Sequence, residues 1–100
     1  MDKLILQFEE ELRDKMFLAK RDCKYNPTYF IQMLNEIGGV ETAKKLITKA
    51  IQTGNPSDGF TRLLLEQRLD LSMEASVCKE EYHILFTDDE IAYCKKVLGK

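Results

Sequence analysis

Apolar residues recur along this chain at helical rather than strand spacing. In the first segment, Leu4, Phe8, Leu12, Met16 and Ala19 are separated by four, four, four and three positions, and Glu9, Glu10, Arg13, Asp14 and Lys20 fill the opposite side. That is one buried stripe of an amphipathic helix from Asp2 to about Cys23. Tyr25-Asn26-Pro27 then offers an N-cap, a proline suited to the first helical position and an aromatic that staples onto Phe30. Phe30, Met33, Leu34 and Ile37 follow at i, i+3, i+4 and i+7, and Gly38-Gly39 ends this second helix, one glycine taking a left-handed position.

A third helix follows at once, with Val40, Ala43, Ile47, Ala50 and Ile51 on its inner side. Thr53-Gly54-Asn55-Pro56-Ser57 reads as a loop, and Ser57 caps a fourth helix that buries Phe60, Leu63, Leu64 and Gln67. Arg68-Leu69-Asp70-Leu71 interrupts the pattern. A short helix begins near Ser72 with Met73 and Val77 inward, and Lys79 to Phe86 adds a further turn or two presenting Tyr82, Leu85 and Phe86. The last helix opens on a capping box, Thr87 with Glu90, and on a staple of Phe86 with Ile91; Ile91, Cys94, Val97 and Leu98 face inward and Gly99 stops it. No β-alternation exceeds a few residues. The expected fold is all-α, a compact bundle of five to six short helices forming one domain over residues 1–100.

Several of these residues form a pattern. Tyr25-x-Pro27-x-x-Phe30, Gly38-Gly39-Val40, Asp58-Gly59-Phe60, Arg68-Leu69-Asp70-Leu71-x-x-Glu74 and Leu85-Phe86 occur in that order across most of the chain. The chain thereby resembles a family of short, mostly bacterial proteins and C-terminal modules of no established activity. Leu64 and Met73 depart mildly from that family's pattern, as repacking of apolar positions. The resemblance implies a fold and leaves the function open.

Composition narrows the classes. Hydrophobic residues make up 44% and charged residues 32%, the balance of a globular chain rather than a disordered one. A formal net charge of -2 and a pI of 5.4 weigh against a protein devoted to phosphate backbones. Cys23, Cys78 and Cys94 lie far apart and are odd in number, which does not suit a disulfide framework. The N-terminal run has acids directly after a short apolar stretch, unlike a signal peptide, and no stretch approaches the ~20 apolar residues of a membrane span. A reducing cytoplasm is expected, with no membrane partner.

Four groups carry candidate chemistry. Arg68, Asp70 and Glu74 are the most distinctive polar set: were one helix to span both acids, they would share a face as a paired-carboxylate site. The competing reading has Arg68 fork onto a carboxylate, or onto free carbonyls, at a helix junction. Cys78, His83 and Cys94 are too widely spaced for zinc, and Cys78 and His83 lie about 140° apart round a helix. Gly38-Gly39 lacks the order of a phosphate-binding loop, and no cofactor motif is present. Residues 26–52 have the outline of a helix-turn-helix, with Lys44, Lys45 and Lys49 placed to neutralise phosphates while Thr48 and Gln52 reach bases. Ile5, Phe17 and Leu18, with Leu6, exceed what one buried stripe hides and suggest a surface for another protein or a second copy. With no catalytic constellation, a non-enzymatic protein-interaction module is the leading expectation and nucleic-acid binding through 26–52 the alternative.

Overall fold

Phe8, Leu12, Met16, Ala19 and Cys23 are all buried along one stripe of α1 (Asp2–Cys23), and the rest of the chain wraps around that stripe. In this computed structural model, which describes residues 2–100, five further α-helices follow: α2 (Thr28–Ile37), α3 (Gly39–Thr53), α4 (Asp58–Leu65), α5 (Met73–Val77) and α6 (Asp88–Val97). Two 3-10 segments, Leu69–Leu71 and Glu80–Leu85, flank α5. No strand occurs among the described residues, and the all-α bundle expected from the periodicity is the architecture found.

The main core joins Phe8 and Leu12 of α1 to Leu34, Ala43, Ile47, Met73, Val77, Ile91 and Cys94. Phe8 sits edge-on to Tyr82 and Phe86, with ring centroids 5.0 and 5.2 Å apart, so the 80–86 region plugs the N-terminal half of α1. A second, smaller cluster of Ala19, Cys23, Leu63 and Leu71 lies under the other end of α1. Side chains terminate the helices much as their residue types demand. Ser57 Oγ accepts from the Phe60 N–H, Ser72 Oγ from the Ala75 N–H, and Thr87 and Glu90 exchange both hydrogen bonds of a capping box.

The local expectations that failed did so at helix ends. Asn26 does not cap α2: Pro27 occupies that position with ψ at 60°, and the helix begins one residue later. Tyr25 packs on the smaller cluster while Phe30 packs on the main one. Gly38 has φ +83° but ψ 171°, an extended conformation of the wrong hand for other residues rather than a left-handed helical cap, and it turns α2 into α3 in a single residue. Ile37, Ile51 and Leu64, expected inside, are exposed; each sits in the last turn of its helix. Gln67 adopts φ +59° past the end of α4 and faces solvent.

Candidate functional site

The acids of the Arg68 junction are not brought together. Arg68 grips Asp70 through Nε and Nη2 at 3.0 and 3.2 Å, and its Nη1 donates to Asp22 Oδ2 at 3.0 Å. Asp22 also accepts from Arg21 at 2.8 Å, and these bonds, Arg21's foremost, hold its pKa down to about 2. The hydrogen bond from Arg68 likewise holds Asp70 low. Glu74 stands elsewhere. The 3-10 turn Leu69–Leu71 and an extended Ser72 separate the two acids, so no single helix presents them on one face. Arg68 and Asp70 form a saturated surface clasp between the 3-10 turn and the end of α1, and the paired-carboxylate arrangement does not exist.

The apolar excess of α1 divides too. Ile5 packs on the main core and Leu18 on the smaller cluster, which leaves Phe17 exposed at 65% and Leu6 at 59%. Those two lie eleven residues apart, about 16 Å along the helix, with Glu10 and Arg13 on the face between them. They are separate apolar points rather than one patch. On α3, Lys44 is committed: its Nζ donates to Glu90 Oε1 at 2.8 Å and lies 5.3 Å from the Phe86 ring centre. Lys45 and Lys49 remain exposed along a shallow depression with Thr48 and Gln52. Cys94 is fully buried and desolvation pushes its thiol up; His83 Nε2 faces the Cys78 carbonyl at 3.1 Å rather than its thiol. Among the described residues no three His, Cys, Asp or Glu side chains are grouped to hold a metal.

The best-formed concavity is one the sequence did not announce. The start of α2, the end of α3 and the 53–59 turn enclose a groove of about 490 Å³, within the range of ligand-sized clefts. Tyr25, Pro27, Tyr29, Phe30, Leu46 and Ala50 supply its apolar surface; Lys49, Asn55 and Asp58 add polar and charged groups of both signs. Tyr25 is fixed from behind. The Arg62 guanidinium lies 5.5 Å from its ring centre and donates to the Cys23 carbonyl at 3.1 Å, so α4 and the end of α1 jointly hold the ring. Gly59 allows the fit, since a Cβ there would stand 3.3 Å from the Tyr25 hydroxyl. Tyr29, on the same wall, is 65% exposed.

From this groove a narrow crevice of about 30 Å³ runs inward, and Tyr25, Pro27, Phe30, Leu46, Ser57 and Gly59 line both. Its inner wall is Met16, Phe60, Leu63, Met73 and Glu74. Glu74 is only 3% exposed, and desolvation raises its pKa to about 7. What favours its ionised form is its own backbone N–H and, more distantly, the Lys15 ammonium. Lys15 is itself largely buried, with Nζ bonded to the Ser72 carbonyl at 3.1 Å, and desolvation lowers its pKa to about 8. Burial of an acid without a close counter-ion is costly, and such acids concentrate at functional sites.

Glu11 shows the contrast. Desolvation acts to raise its pKa, but Ser76, Lys79 and Tyr82 all donate to its carboxylate, and the balance is a lowered value. It is a satisfied structural acid joining α1 to α5 and the 80–85 segment; Glu74 is not.

No protein-family model, curated protein or solved structure matches the chain. No described helix is long and apolar enough to cross a membrane.

Two signals for this site were present in the sequence. Tyr29 is a large side chain off the Phe30–Met33–Leu34 stripe of its helix, and Glu74 stands three residues before the inward Val77, on the same helical face. That the two border one continuous depression depends on how α2, α3, α4 and α5 converge.

Proposed function

We propose that this domain is a non-enzymatic protein-interaction module that holds a segment of a partner protein in the groove between α2, α3 and the 53–59 turn. One observation carries the reading: a rigidly backed aromatic groove of about 490 Å³ that the protein's own side chains leave open. Aromatic walls with polar groups beside them suit an extended segment, the rings giving contact area at little entropic cost. The compartment that fits is a reducing cytoplasm, since Cys23, Cys78 and Cys94 are all free.

The test is co-precipitation from lysate of the source cell with wild type, Tyr29→Ala, Lys49→Ala and Phe17→Ser, each with nuclease. A protein retained by wild type and Phe17→Ser but lost with the two groove variants supports the reading. Retention that depends on Phe17 alone transfers the interface to α1 and defeats it.

A second reading, nucleic-acid binding through α3, rests on the exposed Lys45 and Lys49. It requires binding that falls steeply with salt and with Lys45→Glu plus Lys49→Glu. Insensitivity to both removes it.

A further inference from the structure

We propose that the partner segment is acidic where it leaves the groove: it continues in extended form along the outer face of α3 and sets two carboxylates, two residues apart, against Lys49 and Lys45. This rests on the groove reading above and names the chemistry of the segment that the groove holds.

Lys49 belongs to two concavities. It lines the aromatic groove, and it also lines the shallow depression that contains Lys45, Glu41 and Ile37. Positions 37, 41, 45, 49 and 52 of that depression are spaced by four, four, four and three, so they form one stripe along α3 and the end of α2. The groove takes its α3 wall from the C-terminal half of the helix, including Ala50 and Thr53. A chain leaving the groove along this stripe meets Lys49 first and Lys45 one turn later.

Both ammoniums are free to receive it. Lys45 and Lys49 are exposed, and neither has an ion-pair partner among the described residues, whereas Lys44 of the same helix is taken by Glu90 at 2.8 Å. Four residues of helix put the two lysines about 6 Å apart along the axis. Side chains on one side of an extended segment recur every second residue, about 6.6 Å apart. Carboxylates at i and i+2 therefore match the lysines in register.

The positive stretch is bounded at both ends. Asp58 lines the groove at the start of α4 and Glu41 lines the far part of the depression; both are exposed and neither is in an ion pair. Each disfavours a carboxylate set beside it. Past Glu41, Ile37 is 42% exposed and offers an apolar contact instead. The surface thus suits a short acidic stretch flanked by uncharged residues. A nucleic acid would carry its phosphates past Glu41 and Asp58 as well, on a chain whose net charge is already -2.

The experiment selects binders to the immobilised full chain from a displayed library of random peptides about twelve residues long, ~40 Å when extended. Enriched sequences are resynthesised with fluorescein and their binding is read by anisotropy. The expected sequences carry two Asp or Glu two residues apart beside apolar or aromatic residues. Changing both acids to their amides should weaken binding about tenfold, the sum of two exposed ion pairs. Lys45→Glu plus Lys49→Glu should weaken it at least as much, and selection on that variant should enrich Lys or Arg in place of the acids. Enriched peptides without the acids, or indifferent to the lysine change, overturn the proposal; if Tyr29→Ala still abolishes their binding, the groove stands. No enrichment, or enriched peptides indifferent to Tyr29→Ala, defeats the groove reading and this proposal with it. A fluorescein-labelled oligothymidylate that displaces the peptides and is itself lost with the lysine change assigns the two lysines to nucleic acid, which also overturns it.

Discussion

Glu9 on α1 caps α3 from outside the helix: its Oε1 accepts from the Gly39 N–H at 3.1 Å. The same pair marks a close approach of the two helices, because a Cβ on Gly39 would stand 2.9 Å from the Glu9 Cα. Backbone, not a flexible side-chain tip, blocks that space. Gly39→Ala should therefore destabilise the protein by about 1–3 kcal/mol despite alanine's better helix propensity. Gly38→Ala should cost a similar amount through its φ of +83° alone. Urea unfolding of the two variants checks both figures.

Glu74 gives a pH signature. Its pKa is raised from 4.5 to about 7 in the folded protein, so between those values the native state holds more protons than the unfolded chain. Stability contributed by this group is then complete below about pH 4.5 and lost as pH rises toward 7, with a penalty of about 3 kcal/mol once fully ionised. Glu74→Gln removes the ionisation. Its stability should match or slightly trail wild type at pH 5 and exceed it at pH 7.5. Denaturant midpoints at the two pH values, compared between the proteins, are the measurement; a gap independent of pH would contradict it.

Phe17 and Leu18 are adjacent in sequence and opposite in consequence. Leu18 packs on the Ala19, Cys23, Leu63 and Leu71 cluster, and Phe17 projects into solvent. Leu18→Ser should lower stability by about 2 kcal/mol, whereas Phe17→Ser should change it by less than about 0.5 kcal/mol. Thermal unfolding of the single variants separates them, which the double variant cannot do.

Lys44 joins α3 to α6 through Glu90, whose carboxylate also completes the capping box with Thr87. Lys44→Glu places two acids together at that junction and should cost about 1–3 kcal/mol. Lys45→Glu, on the solvated face, should be nearly neutral. A loss of nucleic-acid binding seen only with Lys44→Glu would then report damage to the α3–α6 junction, so circular dichroism must accompany any binding assay.

Periodicity and capping chemistry were sufficient for the helices themselves. The Phe8–Leu12–Met16–Ala19 stripe, the Ser57, Ser72 and Thr87 caps and the Thr87–Glu90 box are local patterns, satisfied within a few residues of chain, and each is present as its spacing implies. Two local patterns failed, the Asn26 cap and the left-handed glycine cap at Gly38; the other failures lie where locality ends. Ile37, Ile51 and Leu64 have core-like spacing yet are exposed, and burial needs a covering surface that spacing cannot supply. Asp70 and Glu74 are four apart, yet one extended residue at Ser72 parts them and sends one to a surface arginine and the other into the interior. Spacing along the chain thus determined which residues are helical and which face of each helix is apolar. The groove, the commitment of Lys44 to Glu90 and the burial of Glu74 were decided by helices meeting across distant stretches of chain, because desolvation and ion pairing depend on which surfaces come together in three dimensions.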